Sequence, residues 1–302
     1  MFSMKRFIRN IILFAVLLAA CDVVVGAVMR YLVRTAKYGV TKRYNEIADS
    51  ITDDILLFGS SLGRRNYNPD ILSDSLGMSF CSCAQEKGGI LMMYGRYKLI
   101  RQRYTPRVVL YDVERDYDLL DEDCERYLMP LRYYYDKPGI DSLFAAVSPR
   151  QRLLMLSQCY RYSEDPVQVI GDHLRPNHEH HKGYSPRPWE MNPERVVPDT
   201  VVSADYSELK LDYLERFLEE SSAESKVVLL ISPGYGASSD SVFEPVKQLA
   251  RRHGLPLINH YCDTAFTLHP EFYYDPIHLN SRGADRYSRV VAGELHSILN
   301  RQ

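Results

Sequence analysis

Ile55-Leu56-Leu57-Phe58-Gly59-Ser60-Ser61-Leu62 is the stretch on which the fold turns. Four apolar residues in a row stop at a glycine and two serines. A run this short, closed by a turn, suits a strand buried on both faces of a parallel sheet. Val108-Val109-Leu110-Tyr111 and Val227-Val228-Leu229-Leu230-Ile231 repeat the pattern, each bounded by polar or turn residues. Helix-like stretches lie between and after them, at about 88–104, 209–222, 241–253 and 281–299, and Asn280-Ser281 opens the last as an N-cap. Strand alternating with helix predicts an α/β layered fold.

Working outward, the globular domain begins at residue 53 and runs to residue 302, preceded by a polar, helical neck over 36–52. The rhythm breaks at about 115–205, a Tyr-, Arg-, Asp- and Pro-rich insertion that holds Arg132-Tyr133-Tyr134-Tyr135 and Tyr160-Arg161-Tyr162. Residues 1–35 are of another kind. Ile11 to Met29 reads IILFAVLLAACDVVVGAVM, apolar but for Asp22, with Lys5, Arg6 and Arg9 before it and Arg30 and Arg34 after. Nineteen residues at about 1.5 Å each just span a ~30 Å hydrocarbon core. This predicts a membrane anchor or signal, with the remaining chain outside the cytoplasm because no later span follows. Leu18-Ala19-Ala20-Cys21 also matches a lipoprotein processing box, the alternative being lipidation at Cys21. A charge at mid-span costs about 2.5–3.5 kcal/mol, so Asp22 is expected near the interface or against a partner helix.

Composition excludes several classes. The 302 residues carry 37 Lys plus Arg against 39 Asp plus Glu, and a net charge of -2 supplies no field to attract nucleic acid. Six cysteines form no C-x-x-C pair, and Cys81-Ser82-Cys83 is too tight for an ordinary disulfide, so neither a disulfide framework nor a structural metal is expected. His178, Glu179, His180 and His181 sit in a Pro-rich loop at spacings that match no metal motif, and the expectation is a solvated loop with no metal. Cys81 and Cys83 read as small packing residues.

Two segments carry chemistry. Gly59-Ser60-Ser61 falls at the carboxyl end of the first strand, the edge where open α/β sheets bind ligands. A serine exposed on a sharp turn beside backbone N–H groups has what a nucleophile and an oxyanion site require. Tyr274-Asp275-Pro276-Ile277-His278-Leu279-Asn280 precedes the last helix. There His278 can take and return a hydroxyl proton while Asp275 fixes its tautomer.

Together these blocks resemble the SGNH (GDSL-type) hydrolases. Gly59-Ser60-Ser61-Leu62 looks like the G-D-S-L block with serine in place of the aspartate, which makes Ser61 the matching nucleophile and Ser60 its rival. Asp275 to Ala284 is similar to the last block of membrane-anchored, extracytoplasmic SGNH-like proteins of Bacteroidetes type. The resemblance covers about residues 53–300. It implies a three-layer α/β/α sandwich on a five-stranded parallel sheet, and esterase or acyl-transfer chemistry by Ser61, His278 and Asp275 without a cofactor. The compartment alone points to an acylated envelope glycan or polymer as substrate, and the resemblance to anchored proteins of alginate acetylation and teichoic-acid D-alanylation implies a multi-span membrane acyltransferase as partner.

The sequence departs from the family in two blocks. The second supplies an oxyanion glycine, for which Gly88 or Gly89 is the nearest match. The third has Gly-x-Asn-Asp after a strand, where this chain has Asp112-Val113-Glu114-Arg115-Asp116. A missing oxyanion donor costs ~10²-fold or more in turnover. The donor then comes from elsewhere, such as Gln85 or the Ser61 N–H, or the domain is an idle SGNH-like module that binds glycan or scaffolds an envelope assembly. The acidic stretch from Asp112 to Asp123 reads as a solvated loop with Asp112 able to line the site. Tyrosines of the insertion offer stacking platforms for a polar polymer, or simply packing.

Overall fold

The computed structural model describes residues 4–120, 128–162, 164–176, 181–195 and 205–300. They divide into two compact units, Met1–Glu46 with Leu128–Glu179 and Ile47–Tyr127 with His180–Gln302. The stretch read as an insertion is therefore shared: its central part belongs to the unit that contains the N-terminal helix.

The second unit is built on five parallel strands, β1 (Ile55–Gly59), β2 (Phe80–Ser82), β3 (Val108–Asp112), β4 (Lys226–Ile231) and β5 (Leu257–Asn259), in the order β2-β1-β3-β4-β5. Successive side chains point to opposite faces, so each strand supplies two layers. Ile55, Leu57, Leu110, Val228 and Leu230 meet Leu72 of the Pro69–Leu76 helix and Tyr287, Val291 and Leu295 of the Ser281–Leu299 helix. On the other face Phe58 and Tyr111 set their rings 5.5 and 5.0 Å from Phe217, and Tyr97 lies 5.1 Å from the same ring. These contacts bring in the Ile90–Arg101 and Glu208–Ser222 helices. Burial of each such ring contributes about 1.5–3 kcal/mol, and each edge-on pair about 0.5–1.5 more. The result is the expected α/β/α sandwich. Strands β2 and β5 have no counterpart in the sequence pattern, because three residues apiece leave no apolar run to read, and Pro256 stands directly before the second.

The first unit is helical. Met4–Arg34 forms one helix of 31 residues, long and apolar enough to cross a membrane. Its residues up to Ala20 are exposed. Gly39–Asp49 forms a second helix. The tyrosines that looked like stacking platforms are packed here instead: Tyr133, Tyr134 and Tyr162 are buried, and Arg132 lies 3.9 Å over the Tyr160 ring. Asp22 has a partner in its own chain. Its carboxylate accepts hydrogen bonds from the Gln158 N–H (2.8 Å), the Cys159 N–H (3.0 Å) and the Ser157 hydroxyl, which corrects the expectation of a partner helix for this residue.

Candidate active site

The site is assembled at the carboxyl edge of the sheet. β1 ends at Gly59 with φ +147°, where a Cβ would stand 2.7 Å from the Asp112 carbonyl oxygen of β3. Only glycine fits this turn. Ser60 follows as N-cap of the short Ser61–Arg65 helix, its hydroxyl accepting the Leu62 N–H at 3.3 Å. Ser60 is fully buried by this role, whereas Ser61, at 6% exposure, keeps an opening to solvent. Ser61 Oγ lies 2.7 Å from His278 Nε2, across 217 residues of chain.

The opposite arm is fixed by its own backbone. Asp275 accepts the N–H groups of Ile277 (3.1 Å) and His278 (2.9 Å), folding the loop into a tight turn. Tyr274 N–H donates to the His278 carbonyl, and Leu279 N–H to the Asn66 side chain. Asn280 then caps the last helix by accepting the Gly283 N–H at 3.0 Å, as its sequence position predicts. Held this way, His278 Nδ1 stands 2.9 and 2.8 Å from the two Asp275 oxygens. A proton on Nδ1 facing a carboxylate leaves the Nε2 lone pair to accept the Ser61 hydroxyl proton. Burial opposes ionisation of Asp275, but the His278 ring, its charge and the two backbone N–H groups outweigh it and hold the carboxyl below the usual range.

The oxyanion candidates are distributed differently from the sequence expectation. Gly88 donates its N–H to the Gln85 carbonyl at 2.8 Å, closing a local turn, and so does not offer a free donor. Gly89 begins the Ile90–Arg101 helix and accepts the Met93 N–H at 3.0 Å. The Gln85 side-chain oxygen is held by Arg96 at 2.7 Å. Ser61 is the first residue of its helix, so its N–H has no intrahelical carbonyl to reach.

The residues after β3 are the finding that sequence reasoning missed. Asp112, Glu114 and Asp118 are buried rather than solvated. Asp112 accepts the Ser232 N–H (3.2 Å) and hydroxyl (2.9 Å), and Asp118 accepts the Tyr111 hydroxyl (2.7 Å) and the Glu114 N–H (2.8 Å). Loss of water around them pushes the carboxyls up, to about 7 for Asp112 and Asp118 and about 8 for Glu114. The Asp118 charge adds to the shift of Asp112, and those of Asp118, Asp116 and Asp112 to that of Glu114, while Ser60 pulls Glu114 the other way. Glu114 Oε2 is buried with no hydrogen-bond partner. Its position two residues beyond a strand end was the available signal. Asp121, Glu122 and Asp123 lie outside the described residues.

Glu114 lines a small cavity of about 40 Å³ together with Leu62, Val113, Ser232, Phe243 and Ile277. Leu62 and Ile277 are the chain neighbours of Ser61 and His278. Of the histidine-rich loop, His181 pairs with Asp70 at 3.0 Å, and His178, Glu179 and His180 are outside the described residues. Glu215, Glu219 and His253 bring ligand atoms within 4.8 Å of one another, but Glu215 already holds Arg252 (2.6 Å) and His253 (2.9 Å) as a surface ion-pair group. Cys81 and Cys83 are buried packing residues.

Neither a protein-family model nor a curated protein matches the sequence. Among solved structures the chain is similar to a lipase/acylhydrolase from Enterococcus faecalis, at 11% identity and a TM-score of 0.43, covering 81% of this chain and 95% of that one. It is also similar to a GDSL-like lipase from Bacteroides thetaiotaomicron, at 9% identity and 0.41, covering 85% and 97%. An acetyl xylan esterase gives 14% identity and 0.41, covering 81% and 99%. The chemistry rests on the side chains of this chain.

Proposed function

We propose that the protein is an SGNH-type serine esterase or O-acyltransferase, anchored in the cytoplasmic membrane with its sheet domain outside the cytoplasm. Its substrates are acyl esters, chiefly acetyl, on an envelope glycan or polymer. The observation that carries the reading is the Ser61–His278–Asp275 relay, with a 2.7 Å nucleophile–base contact and a 2.8 Å base–carboxylate contact. Ser61 Oγ attacks the acyl carbonyl as His278 Nε2 takes its proton, giving a tetrahedral oxyanion and an imidazolium that Asp275 stabilises. His278 returns that proton to the leaving alkoxide, and the acyl group stays on Ser61. Water or an acceptor hydroxyl then yields a proton to His278 and attacks the acyl-serine, and Ser61 leaves as it takes that proton back from His278. Asp275, kept acidic by its hydrogen bonds, remains a carboxylate throughout.

The envelope substrate follows from the compartment that the apolar N-terminal helix supports, and a multi-span membrane acyltransferase is the partner proposed with it. The test is a fluorophosphonate probe on the full-length, detergent-solubilised chain with peptide mapping. Labelling is expected on Ser61 alone and lost in Ser61→Ala and His278→Ala. A folded chain that takes no label overturns the enzyme reading in favour of an idle glycan-binding or scaffold domain, which the engaged Gly88 N–H favours.

A further inference from the structure

The helical unit exposes an unusual set of apolar side chains. Leu153, Leu156, Val167, Ile170 and Leu174 are 69, 71, 79, 45 and 74% exposed. They come from the Arg150–Leu154 and Pro166–Leu174 helices and the link between the first of these and Gln158–Tyr162. Large aliphatic residues grouped like this on one unit mark a contact surface. What covers the surface follows from where it is tied to the N-terminal helix.

Asp22, Gly26, Met29 and Val33 fall on one helical stripe, three or four residues apart. Gly26, Met29 and Val33 are buried, and Asp22 caps the start of Gln158–Tyr162. A Cβ on Gly26 would overlap Gln158, so the two segments meet at backbone distance. Higher up, the Leu32 carbonyl is bonded by the His173 ring at 2.8 Å, and Tyr38 N–H by the Asp172 carbonyl at 3.0 Å. The other side of the same helix turn carries Val23, Val24, Val25 and Val28, all exposed.

Asp22 is seven residues short of Met29, the end of the apolar run, or about 10 Å along the axis. Residues 157–159 are pinned at that depth. Three hydrogen bonds to Asp22 offset the cost of a carboxylate there, at a helix start that favours negative charge. Leu156 adjoins this point, while Leu174 follows the His173 contact at the level of Leu32, near the rim. Arg150, Arg152 and Arg175 are exposed at the margins of the apolar residues, where a cation can reach lipid headgroups.

We infer that Leu153, Leu156, Val167, Ile170 and Leu174 form a lipid-embedded surface, which enters the leaflet from which the anchor emerges and seats the helical unit in the acyl-chain region. The inference rests on the reading of Met4–Arg34 as a membrane anchor. It makes the helical unit a membrane foot rather than a spacer.

The experiment uses the full chain reconstituted in vesicles, with Trp189, the one tryptophan, changed to Phe. Single tryptophans are then placed by Val24→Trp, Leu153→Trp, Leu156→Trp and Leu174→Trp, and emission is compared in plain phosphatidylcholine and in its acyl-chain-brominated form. All four are surface positions, and two adjacent probes guard against one variant misfolding. The expected result is loss of most emission for Val24→Trp, Leu153→Trp and Leu156→Trp in brominated lipid, and a smaller loss for Leu174→Trp. Quenching at Val24 without quenching at Leu153 and Leu156 overturns the inference and leaves the anchor standing; the surface is then covered by protein, a second copy or another membrane protein. Absence of quenching at Val24 overturns the anchor and the inference together.

Discussion

Glu114→Gln isolates the effect of a buried acid beside the nucleophile turn. Removal from water raises the Glu114 carboxyl from an ordinary 4.5 to about 8, with Asp118, Asp116 and Asp112 adding to it. The folded chain therefore holds this proton more tightly than the unfolded chain. Stability from the neutral acid is complete below about pH 4.5 and is lost as the pH rises through about 8, since the unfolded state releases its proton first. At about 1.4 kcal/mol per tenfold in proton affinity the ceiling is roughly 5 kcal/mol. Glu114 shares its surroundings with Asp112 and Asp118, which titrate near 7, so about 2–4 kcal/mol is the working expectation for Glu114 alone. Glutamine keeps the shape and cannot ionise. Urea unfolding of the full-length chain in detergent, at pH 5 and pH 8.5, reads the difference. The variant is expected to match the wild type within about 1 kcal/mol at pH 5 and exceed it by about 2–4 kcal/mol at pH 8.5. Parallel pH profiles for the two proteins would refute a proton-bound Glu114.

Other perturbations test the remaining parts. Asp275→Asn is expected to lower kcat on an aryl acetate by ~10⁴-fold, because the imidazole loses its tautomer and its counter-charge; a loss under tenfold would remove Asp275 from the relay. Ser60→Ala should label with fluorophosphonate as the wild type does and lose about 1 kcal/mol in urea unfolding, since Ser60 caps a helix while Ser61 faces His278. Gly59→Ala forces a side chain into a φ of +147° and against the Asp112 carbonyl, and a destabilisation above about 2 kcal/mol is expected from the urea midpoint. Phe217→Ala empties the centre of a three-ring cluster and should cost about 3–5 kcal/mol by the same measurement.

The parts of this fold that could be read in advance are those written as local pattern. β1, β3 and β4 are runs of four or more apolar residues closed by turns, and the Ser281–Leu299 helix announces itself with the Asn280 cap. Ser61, Asp275 and His278 were legible for the same reason: two short motifs at two strand or helix ends. β2 and β5 were not, because a three-residue edge strand is defined by its neighbour's hydrogen bonds rather than by its own composition. The acidic residues after β3 misled for a related reason. Asp112-Val113-Glu114-Arg115-Asp116-Tyr117-Asp118 has the composition of a solvated loop, and only the Ser232, Tyr111 and Ser60 partners reveal that Asp112, Glu114 and Asp118 are interior. Asp22 is the same problem in the N-terminal helix, its partners lying 135 residues and more downstream.

The buried acids also bear on the donor that the third sequence block lacks. An ionised carboxylate about 6 Å from a developing oxyanion would cost roughly 3 kcal/mol at an effective dielectric of 20, enough to cancel a good hydrogen-bond donor. With Glu114 raised to about 8 and Asp112 to about 7, Glu114 is mostly protonated and Asp112 about half so at neutral pH, and this edge of the sheet carries less of the negative charge that its sequence advertises. Burial thus weakens the electrostatic objection to ester chemistry at a site walled by acids. It leaves Asp275, drawn below the carboxylate range by His278 and two N–H groups, as the carboxylate that stays charged where an imidazolium must form. One carboxylate kept ionised behind the base, and Glu114 kept largely protonated beside the nucleophile turn, is a division of charge suited to moving a proton from Ser61 to His278 and building negative charge on an acyl oxygen.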